Sequence, residues 1–92
     1  MIKEIWCIVH AIDKKDAKKK ISELETISYY DEPLVKVNAP DMQEYSAYID
    51  SEGYLTLDND SDLCKLIKRD KARDMQYYEF AGYYCDFSEY DL

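Results

Sequence analysis

The chain has 92 residues, room for one domain and one thin core, because a chain of this size buries only about two-thirds of the surface it exposes when unfolded. A hydrophobic content of 47% excludes a disordered acidic tail, and two glycines and two prolines exclude long flexible linkers. A net charge of −8 repels nucleic acid, which argues against direct binding of DNA or RNA.

The first segment, "IKEIWCIVHA", is rich in Ile, Val and Trp and reads as a strand. Ile5, Cys7, Val9 and Ala11 share one face; Trp6 and Ile8 lie on the other beside Glu4 and His10. Apolar residues on both faces predict a central strand covered on each side. Glu4 and His10 also interrupt the apolar stretch that a signal peptide needs, and no run approaches the ~18 residues of a membrane span, so the sequence predicts a cytoplasmic protein with no membrane partner.

"DKKDAKKKISEL" follows as a helix. Asp13 is the predicted cap, with Asp16 three residues on completing a variant of the capping box. Ala17, Ile21 and Leu24 recur at i, i+4 and i+7, so this stripe packs on the sheet while Lys14, Lys15, Lys18 and Lys19 face solvent. "PLVKVN" reads as a short strand ended by Ala39-Pro40-Asp41. "YSAYIDSEGYLTL" reads as a hairpin, in which Gly53 supplies the positive φ of a tight loop. In "DSDLCKLIKRDKARDM" a second helix buries Leu63, Leu66 and Ile67, capped by Asp60 or Asp58, with basic residues near its C-terminal end. The terminal "QYYEFAGYYCDFSEYDL" reads as a strand over 76–87, with Gly82 marking a bulge or a close backbone approach. The expected fold is α+β, in the order β-α-β-β-β-α-β, with two helices on one face of a mainly antiparallel four- or five-stranded sheet. The expectation is one compact domain over 1–92, with residues 88–92 as a loose acidic tail.

Few residues carry recognisable chemistry. Cys7, Cys64 and Cys85 are far apart and odd in number, which suits reduced, mostly buried thiols. "DNDSDL" places Asp58, Asp60 and Asp62 at loop positions 1, 3 and 5 of a calcium site, but Leu63 and Arg69 stand where that loop needs glycine and a bidentate glutamate. Cys7 and His10 are three apart on a strand and point to opposite faces, so they cannot close on one metal ion. With a single histidine and no nucleophile or phosphate-loop motif, the sequence predicts neither an enzyme nor a cofactor.

Charge and aromatic content are the stronger signals. Residues 31–62 carry nine acidic side chains and one basic, and residues 75–92 carry four acidic and none basic, so these two blocks contribute −12. Eight of the ten tyrosines fall within them, a residue enriched at binding hot spots because its ring gives rigid contact area with a polar tip. Carboxylates interleaved with rings can occupy a basic groove, the acids standing in for phosphates and the rings stacking on arginine. In size, acidity and aromatic content the whole chain resembles the anti-CRISPR and anti-restriction inhibitors that phages and other mobile elements direct at host nucleases. That resemblance is compositional and transfers no residues, but it implies a non-enzymatic inhibitor whose partner is a basic nucleic-acid-binding protein or complex in the host cytoplasm. The expected partner-binding residues are Asp31, Glu32, Asp50, Glu52, Asp58, Asp60 and Asp62 from the central block, with Tyr83, Tyr84, Asp86, Glu89, Tyr90 and Asp91 from the end. The alternative is a structural or regulatory subunit, or a homodimer, pairing through a tyrosine-rich sheet edge.

Overall fold

The computed structural model describes residues 2–31, 33–38, 40–58, 62–70 and 75–85, with Ile2 and Tyr29 described by their backbone alone. In chain order the elements are β1 (Ile2–Ala11), α1 (Lys14–Ser22), β2 (Ile27–Tyr30), β3 (Val35–Val37), a 3-10 turn (Met42–Glu44), β4 (Ala47–Ile49), β5 (Leu55–Leu57), α2 (Leu63–Arg69) and β6 (Gln76–Cys85). This is a small α+β domain built on a six-stranded mixed sheet in the order β2-β6-β1-β4-β5, with β3 beside β2 along the same side of β6.

The two ten-residue strands form the centre. β1 and β6 pair antiparallel along their whole length, from Ile2 opposite Cys85 to Ala11 opposite Gln76. β4 lies on the other side of β1 and parallel to it, with Ile8 opposite Tyr48, and is the one parallel neighbour in an otherwise antiparallel set. β1 is therefore central, as its two apolar faces require. Ile5, Cys7, Val9 and Ala11 are buried in a core with Ala17 and Ile21 of α1, while Ile8 belongs to a second core with Met42, Tyr45, Tyr48 and Leu63.

That alternation corrects the expected layering. The helices lie on opposite faces, α1 over the odd-numbered residues of β1 and α2 over the even-numbered ones. Ile8 and Tyr48 would otherwise leave a large apolar surface in water, and α2 with the 3-10 turn provides its cover. The sheet also has one strand more than expected: "ISYY" forms β2, whose four residues show no clean alternation to betray it. The irregularity expected at Gly82 lies one strand over. β6 runs through Gly82 in continuous register with β1, and the register shift falls in β2 between Ile27 and Tyr29.

Local signals in the sequence operate as read. Asp13 accepts from the Asp16 amide at 2.8 Å, and the Asp16 carboxylate reaches back to the Ile12 amide at 3.0 Å. At nine residues α1 is too short to persist alone. Its stability comes from Ala17 and Ile21, and burying Ile21 contributes about 2 kcal/mol. Gly53 adopts φ 94° in the β4–β5 turn, which closes through the Gly53 amide on the Asp50 carbonyl at 2.9 Å. α2 is capped by Asp62, whose side chain accepts from the Cys64 amide at 3.0 Å, rather than by Asp58; Asp60 lies outside the described residues.

Candidate protein-binding surface

The described members of the expected acidic set do not converge on one patch. Asp50 and Glu52 share the β4–β5 turn, where the Asp50 carboxylate accepts from the Glu52 and Tyr54 amides at 2.9 and 3.0 Å. Asp58 and Asp62 lie at the opposite end of that hairpin and line one cleft with Gln43 and Cys64. Asp31 is exposed beyond β2, its amide bonded to the Ala81 carbonyl at 2.9 Å, on the far side of β6 and β1 from the hairpin. Four strand spacings from β2 to β5 amount to roughly 19 Å. Tyr83 and Tyr84 are half-buried on β6; Tyr84 packs on the α1-side core, and Tyr83, opposite Glu4, lies on the other face. Glu32, Asp60, Asp86, Glu89, Tyr90 and Asp91 lie outside the described residues.

Rings and carboxylates do meet elsewhere, on the α2-side face. Cover there extends over Ile8 and His10 but not over the first half of β1, where Glu4 is exposed and Trp6 is 37% exposed. Residues opposite one another on paired strands share a face, so Tyr83 opposite Glu4 and Glu79 opposite Ile8 stand on this same surface. Tyr45, just past the 3-10 turn, stacks on Trp6 with ring centroids 5.8 Å apart and planes 12° from parallel. The Tyr45 hydroxyl donates to Glu79 Oε2 at 2.7 Å. Burial, and then this bond to Glu79, push the Tyr45 phenol up to about 12, so it stays a donor throughout the ordinary pH range. Exposed Glu44 is the last residue of the same turn. The alternation of β1 had already placed Glu4 and Trp6 beside His10; where the cover stops was the missing information.

A second cluster also escaped the sequence reading. Asp70, at the C-terminal end of α2 and within a basic segment, accepts from His10 Nδ1 at 2.9 Å, the Tyr48 hydroxyl at 2.7 Å, the Ser51 amide at 2.7 Å and the Ser51 hydroxyl at 2.6 Å. It thereby ties α2 to β1, β4 and the hairpin turn. Burial raises the Asp70 carboxyl, but the bonds from Ser51, His10 and Tyr48 outweigh it and bring the group to about 2. Tyr48 is pushed well above the ordinary phenol range by burial and by the Asp70 carboxylate. Tyr77 stacks on His10 with centroids 4.4 Å apart, and Lys20 Nζ donates to the His10 carbonyl at 3.1 Å.

Asp70, Tyr48 and Ser51 border a cleft of about 240 Å³ with Glu52, Leu66 and Arg69. This arrangement does not activate Ser51 as a nucleophile. A serine nucleophile needs a base that can take its proton, yet Ser51 Oγ bonds to a carboxylate near 2 instead of to an imidazole nitrogen. The chemistry this arrangement performs well is mechanical, a charged acceptor saturated by four donors.

Cys7 and Cys85 are buried and Cys64 half-buried, all three as free thiols. Among the described residues no group of three His, Cys, Asp or Glu side chains converges on a metal position, and no helix is long and apolar enough to cross a membrane. No family model matches the chain, and no curated protein or solved structure does.

Proposed function

We propose that this protein is a non-enzymatic inhibitor, carried by a phage or another mobile element, that occupies the basic nucleic-acid groove of a host protein. The observation that carries the reading is the uncovered part of the α2-side face. There Trp6 and Tyr83 stand beside Glu4, with half-buried Glu79 where the cover begins, on one continuous stretch of sheet, an array of negative charge and stacking surface such as a nucleic-acid groove accepts. Asp58 and Asp62 at the hairpin end extend the acidic surface. The reading is non-enzymatic because the buried titratable cluster around Asp70 is saturated by its own neighbours.

The test is capture of partners from a host lysate at low salt, followed by elution with DNA or RNA and identification of what is released. A nucleic-acid enzyme displaced by nucleic acid supports the proposal. Reversal of Glu4, Glu79, Asp58 and Asp62 to lysine is expected to weaken that complex by more than about 1 kcal/mol, and unchanged affinity would overturn the mimicry. β6, which carries four of the tyrosines, is hydrogen-bonded on both sides, so self-pairing through that strand is closed. Self-association that survives high salt would point instead to an assembly module using an outer strand.

A further inference from the structure

We infer that Trp6, backed by Tyr45 and flanked by Glu4 and Glu79, is a guanidinium-accepting subsite that takes an arginine side chain from the partner's basic surface. The inference rests on the polyanion reading above and names the group that this part of the face recognises. The indole is exposed on the sheet surface while Tyr45 stacks against it. That support holds the ring in place and offers a rigid platform on which a planar cation can lie. The carboxylates stand to either side of the platform. Glu4 is two residues from Trp6 on the same strand face, and Glu79 is opposite Ile8, the next residue of that face in the other direction.

Glu79 is also pre-oriented. Tyr45 donates to its Oε2 at 2.7 Å, so one ring both supports the platform and positions the carboxylate beside it. A guanidinium suits this geometry better than an ammonium, because it is planar, weakly hydrated and able to stack and donate in its own plane at once, whereas an ammonium is a compact, strongly hydrated point charge. Trp6 stands exposed on the sheet surface, where a side chain presented by another protein can reach it.

Trp6 is the single tryptophan of the chain, so its fluorescence reports on this position alone. The full chain would be titrated at low salt with hexa-arginine and hexa-lysine peptides of equal charge, followed by Trp6 emission and by anisotropy of labelled peptide. The arginine peptide is expected to change Trp6 emission and to bind about threefold to fivefold more tightly than the lysine peptide. Glu79→Gln keeps an acceptor for Tyr45 but removes the charge, and is expected to abolish most of that preference. Trp6→Leu, read by anisotropy, should do the same, with circular dichroism confirming that both variants are folded. Equal affinity of the two peptides with unchanged Trp6 emission overturns the subsite and leaves polyanion mimicry standing. Failure of both peptides to bind at low salt overturns both readings.

Discussion

Removing the Asp70 carboxylate should cost this domain a sizeable share of its stability, because four donors converge on it and two of them are cut off from water. In Asp70→Ala the Ser51 amide and hydroxyl, half-buried in the turn, can rebond to water. His10 and Tyr48, 2% and 1% exposed, can turn only to each other, the Tyr48 hydroxyl already lying 3.4 Å from His10 Nδ1. A buried donor left unsatisfied costs about 1–3 kcal/mol, and with that one bond recovered the variant is expected to lose ~2 kcal/mol at neutral pH. Against a total of about 5–15 kcal/mol for a domain of ordinary stability, such a loss is readily measured. Part of the effect is tied to ionisation. The folded carboxyl sits at about 2 where an ordinary aspartate titrates at 3.8, so the group contributes stability in full above 3.8 and loses it as pH falls through about 2. With the side chain only 12% exposed, that difference is worth roughly 2 kcal/mol. Urea denaturation followed by circular dichroism, for the native chain and Asp70→Ala at several pH values between neutral and about 2, measures both quantities. A stability difference under about 1 kcal/mol at neutral pH, or one that stays constant as pH falls, would refute the reading of Asp70 as an ionised, saturated lock.

Two further outcomes follow from the same geometry. Gly53→Ala should destabilise by about 1–2 kcal/mol through backbone strain alone, since φ is 94° and an added Cβ would meet nothing closer than Lys20 Cγ at 3.9 Å; thermal unfolding would measure it, and a neutral result would mean that the turn relaxes to a different form. A thiol reagent added to the folded protein at pH 8 should modify half-buried Cys64 first, while Cys7, fully buried with its thiol pushed up to about 12, reacts only on unfolding; mass spectrometry of the modified peptides would reveal the opposite order if β1 is not central.

What the sequence determined by itself was local. Period-two alternation in residues 2–11, the stripe at Ala17, Ile21 and Leu24, the Asp13 cap and the glycine of the 50–54 turn each depend on neighbours within a few residues, and each recurs in the structure. The same locality hides second roles. Asp50 and Asp62 counted as surface charge in a tally of acids, and both carboxylates also hold backbone amides, one in the turn and one at the start of α2. Asp70 went unremarked in a stretch read for its basic residues, although its importance lies in donors 19, 22 and 60 residues away along the chain.

Only the tertiary structure decided which helix covers which face of β1, and where that cover ends. Both are settled by β1 pairing with β4 on one side and with the distant β6 on the other, associations that no short stretch of sequence encodes. The same pairing turned the tyrosine-rich final strand inward, into the middle of the sheet. It left exposed an indole that the first strand had carried from the outset, with carboxylates from β1 and β6 on either side of it.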